Sequence, residues 1–202
     1  MIYYFDNIYF LVGLLFVFLV LAIFLKVVKK KSNMYLLVFF IAYIYVCKLI
    51  DLTQFPIYAS EDMKAVMGGQ NVWREMNLVP FKTIVESFSV DVFLNIVMTL
   101  PLGFGIPFLV RCSWKRILFV GVMVGILCEM GQLLSALWVG FTFRHVNIDD
   151  ILLNFLGTLL GYVLLKVFCY IFRWSYSRLR IAPNAFLSFV LNVCDENTNV
   201  SK

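Results

Sequence analysis

Five stretches of the chain, residues 8–25, 34–50, 92–110, 117–138 and 150–172, are predominantly apolar. Each has the length, roughly 17 to 25 residues, that a helix needs to cross about 30 Å of hydrocarbon. Lipid offers no partner to backbone N–H and C=O groups, so a chain with five such runs must close its hydrogen bonds inside helices. The predicted fold is an all-α, polytopic membrane protein with about five transmembrane helices. Composition agrees: 62% of the 202 residues are hydrophobic, 14% are charged, and the mean hydropathy is +0.91, well beyond an ordinary soluble domain.

Basic residues at span ends set the expected orientation. Segments 26–33, 111–116 and 173–180 contain Lys26, Lys29, Lys30, Lys31, Arg111, Lys115, Arg116, Arg173, Arg178 and Arg180 and no acid. Segments 1–7, 51–91 and 139–150 contain only Lys64, Arg74, Lys82 and Arg144 against nine carboxylates. The N-terminus is therefore expected outside and the C-terminus inside. Since topology and anionic inner-leaflet lipid explain most of the basic residues, a net charge of +5 implies no nucleic-acid partner. The first span has neither a preceding basic segment nor a small-residue cleavage site, which predicts an uncleaved anchor. Cys47, Cys112, Cys128, Cys169 and Cys194 are dispersed along the chain, without metal-ligand spacing.

The chain reads as three regions. Residues 1–74 hold two spans and the start of an outer loop, 75–172 a core of three spans, and 173–202 a basic segment and tail. In the loop, "PFKTIVESFSVD" places Phe81, Ile84, Val85 and Phe88 on one helical face, with Pro80 at the first helical position. This predicts an interfacial helix, preceded by a turn at Gly68 and Gly69 and anchored by Trp73. Near the C-terminus, Phe186, Phe189, Val190 and Val193 lie opposite Asn184, Ser188 and Asn192, which predicts a second interfacial helix. The tail "DENTNVSK" is expected to fray.

Polar residues inside the spans point to function. The third span carries Asn95 and Thr99 with Pro101, Gly103, Gly105 and Pro107, so a kinked or broken helix is expected. The fourth carries Glu129 and Gln132 on a face with Gly121 and Gly125; the fifth carries Asp150, Asn154, Gly157 and Gly161 on another. Both glycine pairs have GxxxG spacing, and packing of one on the other would bring Glu129 and Gln132 towards Asn154. At 1.5 Å per residue, Gln132 lies about 9 Å and Glu129 about 13 Å below the outer end of the span. With Arg144, Asn147, Asp149 and Asp150 in the adjacent loop, they predict a polar funnel in the outer half of the bilayer. Arg144 either clamps an anion or pairs with Asp149 or Asp150. Either acid can also cap the helix N-terminus. His145 has no companion at ligand spacing, so neither a metal nor a cofactor is expected.

The blocks "NLVPF" (77–81), "NIVMTLPLG" (95–103), "EMGQ" (129–132) and "RHVNIDDILLNFLGTLLG" (144–161) resemble, in this order, those of the VanZ-like family. The resemblance covers about residues 75 to 165. It implies a small integral membrane protein of bacteria, in a family named for a member linked to low-level teicoplanin resistance. It also implies that Asn77, Asn95, Glu129, Gln132, Arg144, Asp150 and Asn154 are the polar motif positions. One departure stands out: many members have Asp where this chain has Asn147, and here a second carboxylate stands at Asp149.

The expected binding residues are thus Asn77, Asn95, Glu129, Gln132, Arg144, Asp149, Asp150 and Asn154, with Gly121, Gly125, Gly157 and Gly161 packing the helices. Three functions fit. The first is binding or shielding, in which the funnel engages membrane lipid, a lipid-linked cell-wall precursor or a glycopeptide. The second is an intramembrane enzyme for a lipid-linked envelope substrate, with Glu129 or Asp150 as general base. The third is a small transporter, which the lack of an evident inverted repeat disfavours.

Overall fold

A computed structural model describes residues 2–67, 71–86, 89–179, 182 and 184–198. Five helical segments have the length and apolarity of membrane spans: α1 (Ile8–Val27), α2 (Asn33–Gln54), α5 (Val90–Gly105) together with the turn that extends it to Phe108, α6 (Trp114–Val139) and α7 (Ile148–Leu179). Two short helices, α3 (Glu61–Met67) and α4 (Lys82–Glu86), lie between α2 and α5, and α8 (Ala185–Thr198) follows α7. A short antiparallel pair joins β1 (Ile2–Tyr3) to β2 (Ile57–Tyr58).

Local chemistry sets several boundaries. The side chains of Asn7, Ser32 and Ser113 accept backbone N–H groups at the starts of α1, α2 and α6. Gly140 ends α6 at φ +86°, a conformation that favours glycine. The third span continues as helix through Pro101 and gives way to a 3-10 turn, Ile106–Phe108, around Pro107.

The core is built on α7. It runs parallel to α5, and the two backbones meet where side chains are absent: a Cβ on Gly161 would lie 2.0 Å from Leu100 O, one on Gly157 2.2 Å from Ile96 O, and one on Gly103 1.8 Å from Thr158 O. The adjacent stripe of α7, Ile151, Phe155 and Thr158, receives Gly121 and Gly125 of antiparallel α6. This corrects the expected pairing of the two GxxxG faces. Each meets a different neighbour, because α7 is wedged between α5 and α6 and turns its glycine stripe to α5.

By contrast, α1 buries none of its residues. It touches α2 through Phe18, against Phe39, Phe40 and Tyr43, and through the Tyr43 hydroxyl, which donates to Leu14 O at 2.7 Å. Phe10 packs on Phe5 and Phe55, and many of the other apolar side chains of α1 are exposed.

The connecting segments differ from the sequence reading. Among the described residues, the predicted interfacial helix is represented by the five residues of α4. Phe81 takes a left-handed φ of +66°, so the helix starts after it and Pro80 sits in the preceding turn. Phe81 and Val85 are exposed and Ile84 is half-buried. Gly68, Gly69, Phe88 and Arg180 lie outside the described residues. At the other end α8 does form, and the first part of the tail expected to fray continues it to Thr198. It buries Val190, Val193, Cys194 and Asn197 and leaves Phe186 55% exposed. Its buried face is turned towards Cys194 because α8 packs on α7, on α2 and on the 3-10 turn. Cys112, Cys169 and Cys194, dispersed in sequence, converge there with Ile117, Tyr162 and Leu165.

Candidate functional site

At the end of the bundle where α2 and α6 finish and α5 and α7 begin, the connecting loops fold down onto the helices. Asn77 and Asn147 form a parallel backbone bridge, with Asn77 N–H donating to Val146 O and Ile148 N–H to Asn77 O, both at 2.9 Å. This bridge places the Asn77 side chain to donate to Asn147 Oδ1 at 2.9 Å and to Thr83 Oγ1 at 2.9 Å. Asn147 is the hub of the network. Its own amide nitrogen donates to Thr83 Oγ1 at 3.2 Å and Asp150 Oδ1 at 3.3 Å, and its backbone N–H donates to Glu129 Oε2 at 2.8 Å. Glu129, 3% exposed, therefore meets the loop before α7 rather than Asn154.

The two loop carboxylates have different tasks. Asp149 is fully buried and accepts the backbone N–H groups of Phe81 at 2.5 Å, Thr83 at 2.8 Å and Ile84 at 3.3 Å. It anchors the start of α4 to the start of α7 and leaves little capacity for a ligand. Asp150 lines a cavity, beside Asn95 of α5 and within electrostatic reach of Asp91.

Arg144 is not paired with either acid. It donates to Leu52 O at 3.1 Å and Phe55 O at 2.7 Å. These carbonyls belong to the C-terminal turn of α2 and its cap, which the helix cannot satisfy internally and where a cation complements the dipole. The expected intramolecular salt bridge is thus replaced by a clamp on α2. Gln132 also reaches α2, donating to Thr53 O at 3.4 Å.

These groups surround a partly open cavity of about 790 Å³. Of the expected binding residues, Asn77, Asn95, Gln132, Arg144 and Asp150 line it. Glu129 and Asp149 stand behind the wall as supports. Asn154 is 1% exposed where α7 meets α5; its backbone carbonyl accepts the Thr99 and Thr158 hydroxyls, both at 2.9 Å, and among the described residues its Oδ1 has no hydrogen-bond partner. Sequence reading missed Thr53, Thr83, Glu75, Glu86, Lys82 and Asp91, which also line the cavity. The polar end of α2, "DLTQ" (51–54), was a signal for Thr53; Thr83 and Asp91 fall in a segment read for its apolar face alone. Among the described residues no group of three or more His, Cys, Asp or Glu side chains is placed to hold a metal. Chemically, the cavity offers amide and guanidinium donors with carboxylates beside them.

The fold and cavity define a multi-pass helical membrane protein with a polar chamber at one end of its bundle. The VanZ/LLP1 family model matches residues 39–173, more than half of the chain, and the chain belongs to that family. The match starts inside α2, so it includes the helix that Arg144 and Gln132 hold. No curated protein and no solved structure matches.

Proposed function

We propose that this chain is a bacterial cell-membrane protein whose chamber faces away from the cytoplasm and binds an envelope component or a glycopeptide, contributing to resistance to teicoplanin-type drugs. The observation that carries this reading is the chamber itself. Its volume of about 790 Å³ is that of a small-molecule site, and it lies at the opposite end of the bundle from the basic segments that positive-inside topology assigns to the cytoplasm. Membrane lipid or a lipid-linked cell-wall precursor would enter from the headgroup region with its tails still in the bilayer. Glu75, Glu86, Asp91 and Asp150 outnumber Lys82 and Arg144 on the wall, and Arg144 is already engaged. A ligand bearing hydroxyl and ammonium groups therefore fits better than a simple anion.

A second reading, an intramembrane enzyme, is favoured by one observation: the Asp150 carboxylate reaches the cavity beside the Asn95 amide, a base next to a donor. The experiment that tests both uses the purified full chain in nanodiscs with a labelled glycopeptide and, separately, a lipid-linked precursor. Binding that weakens in Asp150→Asn, with the ligand recovered at unchanged mass, supports binding; a mass change in the recovered ligand supports catalysis. The absence of both binding and turnover with either probe would overturn the proposal. Orientation is tested by impermeant thiol labelling of Asp62→Cys and Lys30→Cys, both exposed positions; labelling of Lys30→Cys alone in whole cells would reverse the facing of the chamber.

A further inference from the structure

We infer that a second cleft, at the opposite end of the bundle between the 3-10 turn and the start of α6, binds the phosphate of an anionic phospholipid. The cleft has a volume of about 300 Å³. One wall is apolar, formed by Ile106, Val110, Phe119 and Val120; Val110 and Phe119 are 56% and 66% exposed, as expected of side chains facing acyl chains. The other wall carries Arg111, Lys115 and Arg116.

The two arginines are held in place yet not used up. Arg111 Nη2 donates to Glu196 Oε1 of α8 at 2.7 Å. Arg116 Nη1 donates to Arg111 O at 2.8 Å. Each guanidinium therefore has one nitrogen anchored and further N–H groups free, since arginine carries five donors in a fixed fork. Lys115 forms no ion pair among the described residues. Three cations against the single carboxylate of Glu196 leave the cleft positively charged.

Its position adds to this. The first N–H groups of α6 have no intrahelical partners, and the helix dipole is positive there. Trp114, 45% exposed with its ring edge-on to Tyr162 at 4.8 Å, sits at the same level, as an aromatic headgroup anchor does. Apolar wall and cationic rim together select an amphiphile with a negative head. Free phosphate shares the head chemistry but has nothing to place on Val110 and Phe119.

The test is native mass spectrometry of the full chain from micelles doped with equal amounts of phosphatidylglycerol and phosphatidylcholine. A retained phosphatidylglycerol adduct is expected. Its occupancy should fall on the order of tenfold in the double variant Lys115→Ala/Arg116→Ala, and far less in Lys29→Ala/Lys30→Ala, which removes the same charge at the same end. Equal losses in the two variants would show diffuse attraction and overturn the site. Excess inorganic phosphate should leave the adduct in place; displacement by phosphate would assign the cleft to the free ion and overturn the lipid source. Should the Lys115/Arg116 variant not fold, a photoreactive phosphatidylglycerol on the unmodified chain decides. Label concentrated on residues 106–120 supports the site, and label spread evenly over α1 sinks it.

Discussion

The backbone N–H of Asn147 donates to the carboxylate of Glu129 at 2.8 Å, tying the membrane-buried part of α6 to the loop that opens α7. A glutamine retains an acceptor at this point, whereas leucine leaves the buried N–H without a partner, at a cost of about 1–3 kcal/mol. Glu129→Gln is therefore expected to keep near wild-type thermal stability in detergent and Glu129→Leu to lower it. Under the proposed resistance role, drug protection in cells separates the functions: retention in Glu129→Gln agrees with binding, and its loss at equal protein level assigns a proton-transfer role to Glu129.

Arg144 holds Leu52 O and Phe55 O and so fixes the end of α2 to the chamber. Arg144→Ala should destabilise the protein by about 1.5–3 kcal/mol, the range for hydrogen bonds to a charged group. Arg144→Lys should recover only part of this, because an ammonium lacks the planar fork that spans two carbonyls. Equal melting temperatures for wild type and Arg144→Ala would remove the clamp.

Asp149 gathers the N–H groups of Phe81, Thr83 and Ile84. In Asp149→Asn the acceptor loses its charge and one of its oxygens. Hydrogen exchange should then quicken at residues 81–84, while the middle of α7 stays protected. Unchanged exchange at 81–84 would show that α4 does not depend on this carboxylate.

The seam between α5 and α7 has no room for a methyl group. A Cβ at Gly161 would lie 2.0 Å from Leu100 O, while one at Gly105 meets nothing within 4 Å. Gly161→Ala should cost about 1–3 kcal/mol through overpacking, and Gly105→Ala should be close to neutral. Gly121→Ala should fall between them, since its nearest neighbours are side-chain atoms at 3.2 Å. A calorimetric or fluorescence melting series in one detergent ranks the three.

Arg111 beside Glu196 holds that carboxyl below its usual range. A depressed folded-state value means that the unfolded chain binds the proton more readily, so this contribution is present above the ordinary glutamate pKa of about 4.3 and is lost as pH falls through the folded value. Acidification below about pH 4 should loosen α8 in the wild type. In Arg111→Ala that increment of pH dependence should be missing, which a pH series of melting curves reads directly.

The spans were legible because each is a long apolar run, and lipid leaves such a run one backbone solution. The candidate site was legible to the extent that it broke that rule: Asn95, Gln132 and Asp150 stand out against apolar sequence, and all three reach the cavity. Where chemistry depended on a distant partner, sequence was silent. Nothing near Arg144 names Leu52 and Phe55 as its acceptors, some ninety positions away. Likewise, the departure at Asn147 and Asp149 was visible, but its consequence was not: the amide became the hub and the carboxylate an anchor for α4.

Sequence by itself determined the five-span helical class, the segregation of basic residues, and the small-residue faces, because each follows from the local cost of placing a group in hydrocarbon. Only the tertiary structure decided which faces meet. Both GxxxG stripes favour close approach, but a stripe carries no address; wedging α7 between α5 and α6 sent Gly157 and Gly161 to one neighbour and Gly121 and Gly125 onto another face of the same helix. That choice directed Glu129 to Asn147, left Asp150 at the cavity and Asn154 behind it.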